Sequence, residues 1–285
     1  GGGSRDMPTF PEWDRKVIEY TYDNADYLSM HRYYENPGND LDFLASFVDM
    51  DAFIRTLVAT ADYVKAEKRR GKKDFNFSFD EWNVWYQSKQ RPHGWMEAPP
   101  ILEDNYSLLD ALVFAGLGMT LVNHADRVKI ACLAQLVNVI APIITQKGGR
   151  AIRQTIFYPF RYLSEFGRGT VLQPVVRTPK VETRYGETPL LYTSVVRRDD
   201  GTVTAFCLNI DGEDMTADID LASFGKLVMT GHICLDGEDL NAKNTFEHPD
   251  AVAPREIAPA AGEFSECSVL LPKRSWNMLR FRPVK

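Results

Sequence analysis

The sequence predicts an α/β segment over residues 1–168 followed by an all-β segment over residues 169–285. Three observations carry this. Residues 1–168 alternate short apolar runs with stretches of helical spacing, which is how βα units of a parallel sheet or barrel read in a sequence. From about Gly169 the pattern changes to β-branched, alternating segments with no long helical stretch, the signature of a β-sandwich. At 285 residues the chain is also long enough for two ordinary domains, each with its own core.

The first βα unit opens on Tyr27–Tyr33 (YLSMHRY), a strand ending in polar residues. A helix over Met50–Arg70 follows, with Phe53, Leu57, Ala61 and Val64 at helical spacing and a basic last turn that complements the helix dipole. The second unit is the strand Phe75–Trp82 and a helix over Leu102–Asn123, joined by a long connection containing Pro99 and Pro100. Loops of that length usually have a task. The third unit is the strand Val128–Ala134 and a helix near Ala151–Phe166. Beyond it, Leu190–Arg198 and Thr202–Ile210 form a hairpin around Asp199-Asp200-Gly201, because Asp-Gly favours a tight turn. Further strands are predicted at Met215–Leu221, Lys226–Leu235, Glu266–Leu271 and Ser275–Arg282, and Gly237–Glu263 is predicted to be a long exposed loop.

Composition narrows the function classes. With 44% hydrophobic and 25% charged residues, the chain is neither disordered nor a disulfide scaffold. A net charge of -6 provides no basic field for phosphates, which argues against nucleic acid and suits neutral ligands. Cys132, Cys207, Cys234 and Cys267 are too sparse for a disulfide framework and lack C-x-x-C pairing, so they read as reduced thiols. His31 is a conceivable metal ligand, but no second His lies at ligand spacing, and neither metal nor cofactor is expected. The longest near-apolar run, Ala111–Val122, is shorter than the roughly 18–20 residues of a membrane span and reads as a buried helix. The opening Gly1-Gly2-Gly3-Ser4 is neither a signal peptide nor an ordinary start, and reads as a linker or the interior of a longer protein.

The string FNFSFDEWNVW, residues 75–85, is the most informative. It puts Glu81 where a strand gives way to a loop, beside Trp82, Asn83 and Trp85; in a βα barrel that position is the catalytic face. Sugar cleavage needs a carboxylate near the anomeric carbon, amides or hydroxyls for the sugar hydroxyls, and aromatic planes against its C–H face. A structural hydrogen-bond acceptor is the other reading of the same residue types. Strict alternation puts Glu81 on the face of Phe75, Phe77 and Phe79, so either the Phe stripe fills a barrel interior or a bulge turns the glutamate.

FNFSFDEWNVW, together with YLSMHRYYEN before it, resembles the nucleophile region of the α-L-arabinofuranosidases of glycoside hydrolase family 51. The resemblance continues through MPTFPEWD (7–14), APPILED (98–104), NHADRVKIACLAQLVNVIAPI (123–143) and LPKRSWNMLR (271–280). It implies the C-terminal part of a (β/α)8 TIM barrel, strands six to eight, over residues 1–168, and a jelly-roll-like β-sandwich over 169–285. It also implies a retaining mechanism with two glutamates. Glu81 matches the strand-seven nucleophile, whereas the acid/base glutamate, in a Gly-Asn-Glu context in the family, has no counterpart here. Tyr33 matches a tyrosine that hydrogen-bonds the nucleophile, His31 a histidine lining the pocket, Gln135 a glutamine that binds a sugar hydroxyl, and Trp85 an aromatic wall. His93 and Trp95 would shape the aglycone side, and Cys132 would face inward without chemistry.

Three βα units cannot close an eight-stranded barrel, so the expected partner is the N-terminal half of the same enzyme, carrying the acid/base glutamate. The resemblance further implies arabinofuranosyl-containing saccharides as substrates, a cytoplasmic location and a homo-oligomer, often a hexamer. A family 51 endo-β-glucanase and a non-catalytic carbohydrate-binding or assembly half are the alternatives.

Overall fold

The computed structural model describes residues 2–3, 5–68, 73–89, 94–97, 99 and 101–284. Helix α1 (Glu12–Thr21) leads into strand β1 (Tyr27–Tyr34), followed by the short α2 (Asp40–Leu44) and the long α3 (Ser46–Glu67). Strand β2 (Asn76–Val84), helix α4 (Leu108–Asn123) and strand β3 (Val128–Leu133) come next. The three strands form a parallel sheet in the order β1-β2-β3. Alternation decides its two faces. Leu28 and Met30 of β1 and Phe77 and Phe79 of β2 are buried, with the Phe79 ring against Phe53 of α3 at 5.9 Å, while Ser29, His31, Tyr33 and Ser78 remain accessible. The Phe stripe therefore meets the helices.

Every residue of α4 from Leu108 to Leu121 is buried, as expected for a helix apolar on all sides. Its start is set by a capping box between Ser107 and Asp110, so the predicted helix at 102–123 loses its first residues; Leu102 has a left-handed φ of 54°. The next free donors of the helix are taken up from a distance. Leu108 N donates to Ala242 O and Leu109 N to Leu240 O, both at 2.9 Å. The segment predicted as an exposed loop, 237–263, is thus partly inside: Leu240, Asn244 and Val252 are buried, and the Asn244 amide donates to Arg153 O at 3.1 Å and Val252 O at 2.9 Å. Sequence texture reports polarity, and here the polar groups are used to satisfy backbone.

A small hairpin of β4 (Ile143–Thr145) and β5 (Ala151–Arg153) precedes α5 (Phe157–Phe166). The predicted helix at 151–166 begins late because its first residues pair with Ile143–Thr145. The remaining strands are β6 (Thr170–Leu172), β7 (Lys180–Thr183), β8 (Gly186–Pro189), β9 (Leu191–Arg197), β10 (Val203–Asn209), β11 (Met215–Asp220), β12 (Leu227–Leu235), β13 (Arg255–Ile257), β14 (Glu266–Leu271) and β15 (Ser275–Pro283). Six of them form an antiparallel sheet in the order β13-β12-β15-β10-β9-β6, and β11 pairs with β14 as a separate ribbon. Strand β10 is buried along its whole length. Its Phe206 and Leu208, with Trp276 and Met278 of β15, join the core around α4; its Val203, Ala205 and Cys207, with Leu279 and Phe281, pack under the ribbon. One apolar core therefore runs from the parallel sheet through α4 into the antiparallel sheet.

All four cysteines are free thiols, and burial pushes those of Cys207 and Cys234 up to about 12. Only thiolate reacts with alkylating reagents. At pH 8 exposed Cys132 is expected to be labelled within minutes, and Cys207 and Cys234 only after unfolding. Peptide-resolved mass spectrometry after a timed iodoacetamide pulse checks this.

Candidate active site

The position of Glu81 depends on a β-bulge. Between β1 and β2 the register runs Ser29 to Ser78 and then His31 to Glu81, one extra residue on β2, and the β2–β3 pairing shifts between Phe79 and Trp82. An extra residue breaks alternation. Phe77, Phe79 and Trp82 stay buried, while the adjacent Asp80 and Glu81 remain partly accessible. The bulge, and not a Phe-filled interior, is the outcome of the two possibilities left by the sequence. Trp82, 2% exposed and tilted against Phe114 with ring centroids 4.6 Å apart, anchors the strand from beneath.

On the accessible face, Tyr33 Oη donates to Glu81 Oε2 at 3.0 Å, and His31 Nδ1 lies 3.5 Å from the same oxygen. Burial, and then the contact with Glu81, raise the Tyr33 phenol well above its ordinary value. It therefore keeps its proton and acts as a permanent donor to the carboxylate. The His31 and Glu81 side chains are 45% and 47% exposed, so the group is open to a ligand. Trp85 stands edge-on to Tyr33, ring centroids 5.0 Å apart at 75°, and its backbone N donates to Tyr34 O at 2.8 Å. Its indole N–H is buried without an acceptor among the described residues.

Gln135 sits on the loop after β3, exposed, and hydrogen-bonds none of His31, Tyr33, Glu81 or Trp85 among the described residues. The structure links the other four directly and Gln135 only through the framework. That link is Asn83, fully buried, whose amide donates to Ala134 O at 2.9 Å and Ile140 O at 2.5 Å while Val84 N donates to its Oδ1 at 2.8 Å. Asn83 read from sequence as a sugar-binding amide; it instead holds the Gln135 loop against β2. Sequence reasoning also passed over Ser29 and Asp80, which contact His31. Their signal was available: Ser29 and His31 share a strand face, and Asp80 adjoins Glu81. Trp95 is fully exposed, and His93 lies outside the described residues. A cleft of about 1040 Å³ lies elsewhere, between α3, the end of α4 and the segment 171–193, and includes none of these residues.

A carboxylate at the end of a parallel strand, contacted by a tyrosine and a histidine beside a tryptophan, offers groups of the kind that glycoside cleavage uses. Residues 80–275 match the family described as α-L-arabinofuranosidase C-terminal domain. The chain is 44% identical to the intracellular exo-α-(1→5)-L-arabinofuranosidase of Acetivibrio thermocellus over 98% of its own length and 58% of that protein. It is 41% identical to the exo-α-(1→6)-L-arabinofuranosidase of Bifidobacterium longum over 99% of its length and 57% of that protein. Among solved structures, a family 51 α-L-arabinofuranosidase from Bifidobacterium longum superposes with a TM-score of 0.92 at 37% identity, covering 99% of this chain and 58% of that one. The chain belongs to the α-L-arabinofuranosidases of glycoside hydrolase family 51 and corresponds to their C-terminal half. It spans a little over half the length of these relatives.

Proposed function

We propose that this chain carries the nucleophile of a retaining α-L-arabinofuranosidase and acts with the N-terminal half of the same enzyme, which brings the acid/base glutamate. The observation that carries the reading is the convergence of Tyr33 and His31 on one oxygen of Glu81. Both contacts fall on Oε2, which leaves the lone pairs of Oε1 for attack. Glu81 Oε1 displaces the aglycone at the anomeric carbon, the acid/base glutamate protonates the leaving oxygen, and water then cleaves the arabinosyl ester with retention. In the assembled site the two carboxyls belong about 5–5.5 Å apart, the retaining separation. The substrates are terminal non-reducing α-L-arabinofuranosyl residues of arabinan- or arabinoxylan-type saccharides, bound by Trp85 and Gln135, with no cofactor.

On this reading β1, β2 and β3 are strands six to eight of a (β/α)8 barrel, and the sheets beyond residue 168 are its jelly-roll-like companion. The free edges support it: among the described residues β1 and β3 each pair on one side only, and Lys129, Ile130, Ala131 and Cys132 of β3 are exposed. Several relatives are named intracellular, which supports a cytoplasmic location; the homo-oligomer, often a hexamer, rests on the family resemblance alone. The test is hydrolysis of para-nitrophenyl α-L-arabinofuranoside against soluble β-glucan by the two halves together. Cleavage of the glucan alone would move the chain to the endo-β-glucanase reading. Tyr33→Phe is expected to lower kcat roughly 10- to 100-fold with little change in KM, since one charge-assisted hydrogen bond to the nucleophile is lost. Steady-state kinetics on the same substrate measure it.

A further inference from the structure

Strand β2 ends at Val84, and beyond it the rungs to β1 stop at one bond, Trp85 N to Tyr34 O at 2.8 Å. The donors of the residues that follow must find acceptors elsewhere. Carboxylates take most of them. Tyr86 N donates to Asp104 Oδ2 at 2.8 Å, Tyr86 Oη to Asp110 Oδ1 at 2.5 Å, and Ser88 N and Oγ both to Glu35 Oε2, at 3.0 and 2.8 Å. Asp104 belongs to the same connection, whereas Glu35 follows β1 and Asp110 stands in the first turn of α4, so these two tie the turn to separate elements. Asp110 is 1% exposed, and its oxygens have different tasks: Oδ2 accepts from Ser107 N and Oγ, closing the capping box, and Oδ1 is left for Tyr86. A buried carboxylate oxygen is costly unless a donor meets it. The donor here is the residue beside Trp85. Burial, and then the Asp110 carboxylate, raise the Tyr86 phenol well above its ordinary value, so it keeps the proton it donates.

We infer that Asp110 and Glu35 are positioning residues that clamp the turn 85–88 to α4 and to the end of β1, and so hold the Trp85 ring in place as a wall of the sugar pocket. The inference rests on the reading of Trp85 as a sugar-binding aromatic. Trp85 stands edge-on to Tyr33, whose hydroxyl donates to Glu81, so any shift of the turn displaces the ring relative to that carboxylate. Contact with the C–H face of a sugar depends on where the ring stands. Neither Asp110 nor Glu35 hydrogen-bonds Tyr33 or Glu81 among the described residues, so the clamp acts on binding and leaves the chemical step alone. The two holds differ in strength. Glu35 and Ser88 meet where water competes for both, while the contact between Tyr86 and Asp110 is sealed at the carboxylate.

The test uses both halves assembled and para-nitrophenyl α-L-arabinofuranoside. Tyr86→Phe removes one hydroxyl and leaves the capping box of α4 whole; it should raise KM roughly 5- to 20-fold with kcat changed less than about threefold. Glu35→Ala should raise KM roughly two- to fivefold, and Glu35→Gln, whose amide oxygen still accepts from Ser88, should stay within about twofold of the parent. In a Trp85→Ala background, Tyr86→Phe and Glu35→Ala should each change KM less than about twofold. Enzyme labelled with fluorotryptophan should show the fluorine line of Trp85, assigned by its loss in Trp85→Phe, shifted or broadened in Tyr86→Phe and in Glu35→Ala, with the line of Trp82 unmoved. An unmoved Trp85 line, or KM penalties that persist without Trp85, overturn the inference. The spectra need no turnover, so they judge the clamp even if Trp85→Ala leaves KM unchanged and thereby rejects Trp85 as a sugar-binding wall.

Discussion

Glu81→Ala, in enzyme assembled from both halves, is expected to reduce turnover by about 10⁴-fold or more while leaving substrate binding within a few-fold of the parent. The side chain is half-exposed, and its contacts are a phenol and an imidazole from the neighbouring strand, so truncation removes the attacking group without opening the apolar core below it. The core residues on β2 point the other way, into α3 and α4. The vacated space lies beside the Tyr33 donor, and a small anion such as azide can occupy it. Added azide should then attack an activated arabinofuranoside from the nucleophile's side in one displacement, giving a glycosyl azide of inverted configuration. Product stereochemistry by NMR, with the rate, decides the matter. Rescue with retained configuration would transfer the role to another group, and near-parent turnover without azide would remove Glu81 from the chemistry. A carboxylate that merely anchored the fold would show lower stability and no response to azide.

The second large effect is all-or-none. This chain by itself is expected to show no hydrolysis above background, and addition or co-expression of the N-terminal half should restore it. Protonation of the leaving oxygen needs an acid across the sugar from Glu81, and we assign that acid to the other half. The parallel sheet also has two edges with unpaired backbone groups, and apolar side chains stand exposed around it, among them Ile130, Leu136 and Val137. Such edges drive association. Size-exclusion chromatography with light scattering should find the lone chain as dimers or larger species, and the assembled enzyme protected at Cys132 from the iodoacetamide pulse that labels the lone chain. A cooperatively melting, catalytically active monomer of this chain alone would refute both expectations.

Much of the architecture is legible in the residues because hydrophobic periodicity responds to burial on one side. Strand β1 was predicted to within one residue, and the hairpin β9–β10 was read from Asp200-Gly201 between two alternating runs. What escaped was set by partners distant in sequence. Helix α3 begins at Ser46, ahead of the apolar spacing that marks it, and α1 and α2 are short helices with few apolar repeats. The cap on α4 comes from Ser107, but its next donors are met by residues more than a hundred positions on, which no local pattern announces. At the site, Glu81 and Trp85 stand out in the string 75–85 and Tyr33 and His31 through the resemblance, and the structure brings the four together. The bulge was one of two alternatives, because alternation exposes a conflict at Glu81 without saying how the backbone resolves it. Asn83 was misread since a buried amide and a sugar-binding amide look alike in a string of letters.

The stitch between α4 and the segment near Leu240 and Ala242 bears on how this polypeptide could be divided. Composition changes near residue 169, and a protein engineer seeking a fusion junction would cut there. Neither fragment would own its interior: α4 would lose the carbonyls that receive its first amides, and the antiparallel sheet would bare Phe206, Leu208 and Trp276, which share the core around that helix. The compositional change near residue 169 does not coincide with a break in this core. The β-rich part is thus scaffolding for the strand that holds Glu81, and amide exchange at Leu108 and Leu109 would serve as a remote gauge of its integrity.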